Sequence, residues 1–219
     1  MTSRSVTNER KKRPRIRRRR KEQRPGEILD AALRIFAQSG FAGTKLDDVA
    51  AAAGIGKGTI YLYFETKEDL FRAVVRQLFL SNFETLRQLV PVEGSSAHAI
   101  LRRFAERLLT VIESDLGAVI KIVVTESEAF PWIAEFYVRE VAGQILPWIE
   151  SVIAMGIERG EFRRVDPHSV VPLWGAPFLA LTILTQTIGR QKALPFEPRT
   201  VIDAHVDMFL RGLRPGPLH

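Results

Sequence analysis

Apolar residues recur at helical spacing through most of the 219-residue chain, and no stretch alternates with the period of two that marks a strand. Ile28, Leu29, Ala32, Leu33 and Phe36 form one stripe, which predicts a helix from Pro25, a favoured first-turn residue, to Ser39, stopped by Gly40. Leu46, Val49, Ala50 and Ala53 form the next. Thr44 and Asp47 stand in capping-box spacing before it, and Gly54 sits where helices commonly end in a left-handed residue. Ile55 can plug the corner, and Gly56 is an acceptable N-cap for a helix from Lys57 to Tyr63, with Ile60 and Phe64 inward. A second box, Thr66 with Asp69, opens a helix at Lys67. Its broad apolar face (Leu70, Phe71, Val74, Val75, Leu78, Phe79, Phe83, Leu86) runs to about Val90, before Pro91 and Gly94.

The second half predicts helices His98–Glu113, Leu116–Ser127, Pro131 to Val141 or beyond, and on to Glu158, with Pro147 expected to kink or break the helix. Val170–Ile188 is apolar nearly all round, which predicts a helix buried on most sides. Pro172 and Pro177 interrupt it, and its uninterrupted part falls short of the roughly 20 residues that span a bilayer, so no membrane span is expected. Arg199–Leu213 closes the chain with Val201, Ile202, Val206, Phe209 and Leu213 as its apolar face.

Two short helices, a glycine-bearing turn and an outward second helix make a helix-turn-helix, whose second helix enters the DNA major groove. The residues left facing outward suit that task. Lys57 supplies charge, and Gly58 permits close backbone approach. Thr59 can hydrogen-bond a base edge and touch a thymine methyl, while Tyr61 and Tyr63 can offer hydroxyls to phosphates. Thr44 and Lys67, at the openings of their helices, complete the predicted DNA-binding set. The run GIGKGTIYLYFETKEDL, with RPGEILDAALRIFAQSGFAGTKLDDVA before it, resembles the signature of TetR-type transcriptional regulators over Arg24–Leu70. The position after Tyr61, often His or another polar residue in that family, is Leu62 here.

Charge sharpens the division of the chain. Its formal net charge is +7, yet residues 1–24 hold twelve Lys and Arg against Glu9 and Glu22, a net of +10 that leaves −3 for the rest. Residues 1–23 lack the apolar residues to fold alone and read as a disordered basic arm, the expected form of a nucleic-acid contact; the alternative is a solvated tail. No apolar h-region follows the charges, so the head does not read as a signal peptide. There are no cysteines, which excludes disulfides, zinc–cysteine sites and thiol nucleophiles and fits a reducing cytosol. The four histidines show no metal-ligand spacing, and no nucleotide loop or catalytic triad stands out; no metal, cofactor or enzymatic activity is expected.

The sequence therefore predicts an all-α chain: a basic arm (1–23), a three-helix helix-turn-helix DNA-binding domain (24–70) and a helical domain (71–219). The resemblance implies that the last domain binds a small molecule and dimerises, with Val170–Ile188 and the last helix forming half of a four-helix interface. It further implies a cytoplasmic bacterial repressor that leaves a palindromic double-stranded operator when its ligand binds. The aromatics Phe104, Phe130, Trp132, Phe136, Tyr137, Trp148, Trp174 and Phe178 are either plain core or, as the resemblance implies for some of them, the lining of a ligand pocket. Glu126 is either a solvated helix end or the anchor for a cationic or hydroxylated ligand. Two rival functions remain: a small-molecule-binding or enzymatic helical protein with an incidental basic tail, and a DNA-binding protein without sequence preference.

Overall fold

A computed structural model describes residues 13–87, 94–189 and 194–216, with side chains from 24 to 79 and over the later two stretches. Every regular element among the described residues is helical: α1 (Arg13–Gly43), α2 (Leu46–Ala52), α3 (Lys57–Ile60), α4 (Lys67–Arg87), α5 (Ala97–Ile112), α6 (Asp115–Glu126), α7 (Pro131–Tyr137), a π-helical turn (Val138–Ala142), α8 (Gly143–Glu158), α9 (Pro167–Thr187) and α10 (Pro198–Gly212). The expected end of the fourth helix, residues 88–90, and the first twelve residues of the basic arm lie outside the described residues.

The chain divides into two compact units, one of residues up to 39 with 43–74, the other of 40–42 with 75 onward. The boundary falls inside α4, which contributes residues to both, four residues beyond the expected limit at Leu70. In the first unit Ile28, Ala32 and Phe36 of α1 are buried, as are Val49 and Ala50 of α2, Ile60 of α3, and Leu70, Phe71 and Val74 of α4. Phe36 meets Phe71 edge to face, ring centroids 5.2 Å apart. Thr66 opens α4 as expected: its Oγ1 accepts the amide of Asp69 at 3.1 Å and donates to the Asp69 carboxylate at 2.6 Å.

The basic arm was expected to be disordered to residue 23, but α1 begins at Arg13 and Pro25 lies inside it. A lack of apolar residues prevents packing, yet Arg, Lys, Gln and Glu are good local helix formers. Phe41, just after Gly40, belongs to the second unit, where it packs edge to face on Phe130 and Trp132 at 5.0 and 5.2 Å. Pro147 does not end α8; the irregularity precedes it as the π turn, with the Gly143 amide bonded back to the Val138 carbonyl. Proline at 147 has no N–H for the Gly143 carbonyl, and a wider turn just upstream is one way a helix absorbs that loss.

In the second unit α9 packs against α5, α6, α8 and α10. Val171, Trp174, Phe178 and Leu181 form its buried face, and Gln186 donates to the carbonyls of Ile112 (2.8 Å) and Ser114 (3.1 Å), tying α9 to the α5–α6 junction. The expected burial on most sides is not met within one chain: Leu173 of α9 is 64 % exposed, Leu179 is exposed, and Met208 of α10 is 67 % exposed. Nor do the prolines divide α9. It runs 21 residues through Pro172 and Pro177, long and apolar enough by length and composition to cross a membrane. Its packing against four neighbours is that of the central helix of a folded domain.

Candidate functional site

The turn between α2 and α3 is built by its glycine. Gly54 adopts φ 65°, in the left-handed region that costs other residues roughly 1–2 kcal/mol. Its amide then bonds to the Ala51 carbonyl at 3.1 Å while the Ile55 amide reaches back to Ala50 at 3.0 Å, the paired bonds of a Schellman motif. Gly56 is the N-cap of α3, and the Thr59 amide returns to its carbonyl at 2.8 Å. α3 ends at Ile60, three residues before the expected Tyr63. Leu62 and Tyr63 continue it as a turn, their amides bonded to Thr59 and Ile60 at 3.2 and 3.0 Å.

This arrangement anchors α3 by Ile60, which is fully buried, and sets the other predicted contacts around it. Lys57 and Gly58 are exposed, Tyr61 is 46 % exposed, and Thr59, Tyr63 and Lys67 are half-buried. Leu62, the residue that departs from the usual polar choice, is the most exposed large apolar side chain among the described residues of the unit at 82 %. Thr44 differs: it is 2 % exposed and turned inward, and α2 takes Lys45, not Thr44, as its N-cap. A side chain so enclosed does not present itself to DNA in this conformation. Asp47, read from sequence as the partner of Thr44, places Oδ2 2.7 Å from the Lys57 ammonium. That hydrogen bond raises the Lys57 pKa above its ordinary value, with the Asp47 charge as the next cause. The pair joins residues ten apart across the turn, a relation that helical periodicity does not report.

The predicted pocket residues of the second unit fall into three separate places. Phe104, Trp148, Trp174 and Phe178 form an aromatic cluster with His205 and Phe209: Trp174 is fully buried, 6.5 Å from Phe104 in a stacked pair, 5.4 Å from Phe178 and 5.1 Å from Phe209. The Nε2 of His205 lies 3.1 Å from the Trp174 carbonyl, and burial lowers the imidazole pKa. Phe130 and Trp132 enclose Phe41. Beside them Glu126 accepts the amides of Phe41 and Ala42 at 2.9 and 2.7 Å, so its carboxylate serves the fold and not a ligand in this conformation. Phe136 lies under the Arg76 guanidinium, 5.3 Å from its ring centroid, and burial raises the pKa of neighbouring Tyr137.

A cavity of about 100 Å³ is lined by Val75, Arg76, Phe79, Glu140, Val141 and Gln144, none of them among the predicted pocket residues. Arg76 closes on Glu140 with Nε and one terminal nitrogen 3.2 and 3.3 Å from its two oxygens. The hydrogen bond from Arg76 lowers the Glu140 pKa, against a smaller opposing effect of desolvation. Glu140 reaches this position on the π turn, which no sequence period announces. Among the described residues no group of three or more His, Asp or Glu side chains is placed to hold a metal.

Comparison with known proteins agrees with both units. Residues 28–74 match the family model of bacterial regulatory proteins of the tetR family, and residues 99–213 match the C-terminal domain of AefR-like transcriptional repressors. The HTH-type transcriptional regulator YhgD of Bacillus subtilis, itself uncharacterized, is 29 % identical over 143 residues, 64 % of this chain and 73 % of that protein. The HTH-type transcriptional regulator RutR of Escherichia coli is 29 % identical over 156 residues, 68 % and 69 % of the two chains. The crystal structure of the regulator FadR from Bacillus subtilis, in complex with stearoyl-CoA, superposes with a TM-score of 0.71 at 19 % identity, covering 86 % of this chain and 98 % of that one.

Proposed function

The chain belongs to the TetR family of bacterial regulatory proteins and is a ligand-responsive transcriptional repressor, not an enzyme; from that premise we propose that it acts as a homodimer on a palindromic operator, reading bases with the face around α3. Like other soluble regulators of its family it works in the cytoplasm, and on this reading it joins the nucleoid when bound to DNA.

The observation that carries the proposal is the outward set on a buried anchor. Ile60 is sealed in the core while Lys57, Gly58, Thr59, Tyr61 and Tyr63 surround it with exposed or half-exposed groups suited to bases and phosphates. Lys67, at the start of α4, extends the set toward the backbone. The exposed apolar residues Leu173 and Leu179 of α9 and Met208 of α10 support the homodimer, because a second copy would cover them and supply the two-fold symmetry that a palindrome requires.

We place the small-molecule effector in the second unit, among the aromatic residues of α5 to α9. The effector acts by binding one conformation better than another, since equal affinity for both would shift nothing. α4 would carry the bias, because its residues belong to both units. Selection of bound duplexes from random sequence tests the DNA reading: recovery of one inverted repeat is expected, and recovery of unrelated sequences with equal affinity would return the protein to the class of non-specific DNA binders.

A further inference from the structure

We propose that Asp47 is a specificity determinant of DNA binding: its carboxylate holds Lys57 away from the phosphates of random DNA and yields it only where an operator fixes a phosphate within reach. The inference rests on the reading of α3 as the helix that meets DNA.

Three observations lead to it. The Lys57 ammonium is already engaged, 2.7 Å from Asp47 Oδ2, although the lysine side chain is 71 % exposed. The carboxylate is only partly open to solvent, its side chain 44 % exposed, and its other oxygen, Oδ1, is enclosed with no hydrogen-bond partner. Departure of Lys57 therefore leaves Asp47 with one oxygen enclosed and the other stripped of its cation, next to an approaching phosphate. Finally, residues 44–64 carry Lys45 and Lys57 against Asp47 and Asp48, so the helix-turn-helix stretch is neutral while residues 1–24 hold the positive excess. Random DNA is then attracted by the arm and gains nothing from α2 and α3.

The two kinds of DNA differ in what they can offer Lys57. In a non-specific complex the protein slides, and the phosphates that pass the ammonium can attract a free lysine but do not stay in one place to displace the carboxylate that already holds it. In an operator complex, base contacts by Thr59 and Tyr61 hold α3 in one register, and a single phosphate can stay beside Lys57 long enough to replace the carboxylate. Exposed ion pairs are weak, so a well-placed phosphate suffices for the exchange and a transient one does not. Asp47 thus penalises random DNA more than the operator.

The test measures affinity for a duplex recovered by selection and for a random duplex, across a salt series, with the full chain. Asp47→Asn keeps the side chain's shape and removes its charge. It is expected to tighten random-DNA binding about two- to fivefold, the range that an exposed pair commands. It should also steepen the random-DNA salt slope by about 0.9 as Lys57 joins the phosphate contacts. Operator affinity should move less, so the ratio falls. In a Lys57→Gln background the same Asp47→Asn change should leave the ratio where it is. Equal tightening with and without Lys57 would show the carboxylate acting on phosphates by itself and would overturn the proposal. So would a loss of operator affinity alone, which would make the pair a strut for α3. If Asp47→Asn does not fold, Lys57→Gln decides: weaker operator binding with random-DNA affinity and slope unchanged is expected, and equal losses on both duplexes overturn the proposal. A wild-type protein that shows no operator preference would overturn the DNA reading itself; a preference that Asp47→Asn leaves intact overturns only the role of Asp47.

Discussion

Glu126 accepts the backbone amide of Phe41 at 2.9 Å, and the residue before that amide, Gly40, is held at φ 70°. A Cβ at position 40 would collide with Glu126 Oε1. The carboxylate and the glycine therefore depend on each other: the left-handed turn aims the amides of residues 41 and 42 outward, and the missing side chain lets the carboxylate reach them. Gly40→Ala is expected to destabilise the protein by roughly 1–3 kcal/mol, from the left-handed strain and the displacement of Glu126. Glu126→Ala leaves two amides without their charged acceptor and should lose about 1–3 kcal/mol. Urea unfolding of both variants and of the double variant checks this. Full additivity in the double variant would mean that the two residues do not act through one another.

Thr59→Ala and Tyr61→Ala should weaken operator binding by ~1–3 kcal/mol each if either side chain contacts a base edge, with unfolding midpoints near that of the wild type. Both side chains lie outside the buried anchor at Ile60. Operator affinity that stays unchanged in both variants would remove this face from the reading role.

Deleting residues 2–22 should act on the other measurable. Each phosphate neutralised by Lys or Arg steepens the slope of log affinity against log salt by about 0.9 on duplex DNA. Loss of the basic segment should flatten that slope by several units and weaken all sequences alike. Full salt dependence in the truncated protein would show that the arm does not touch DNA; loss of sequence preference would place specificity on the arm.

Leu173→Glu should yield monomers that bind operator poorly, since this α9 side chain has little to cover it within one chain. Phe209, the choice suggested by the apolar face of the last helix, packs on Trp174, so its replacement would damage the interior as well. Sedimentation of the wild type as a monomer at micromolar concentration would end the dimer reading.

Stability should fall on acidification through His205. Its folded pKa lies below the ordinary imidazole value because the ring is partly buried. The neutral form is therefore favoured in the fold, and its contribution is complete above the unfolded pKa near 6.5 and lost as pH drops toward the lower folded value. His168 has the opposite sign: its hydrogen bond to Glu150 raises its pKa, so it stabilises below pH 6.5 and loses that effect as pH rises through the raised folded value. Melting temperatures across pH for His205→Gln and His168→Gln should change slope in opposite directions. The same slope in both would refute the assignment.

The chain's own pattern determined the helical class, the positions of most helices and the helix-turn-helix, because those depend on interactions between residues close in sequence. A left-handed glycine at 54, a capping box at Thr66 and Asp69 and an apolar stripe ending in Phe36 are each readable within a few residues. The same locality explains the errors. Asp47 was legible as a cap, but its pairing with Lys57 spans a turn and depends on the angle between two helices. Glu126 was legible as a polar residue between apolar stretches, but its partners are 84 and 85 residues away in the chain. The aromatics of the second unit read as one set by composition, and packing separates them into a core around Trp174, a nest around Phe41 and a support beneath Arg76. Hydrophobic burial has no direction, so periodicity can state which face of a helix turns inward but not which neighbour it meets. That choice is made by side-chain shape and by backbone groups in need of partners, and only the tertiary structure brings those together.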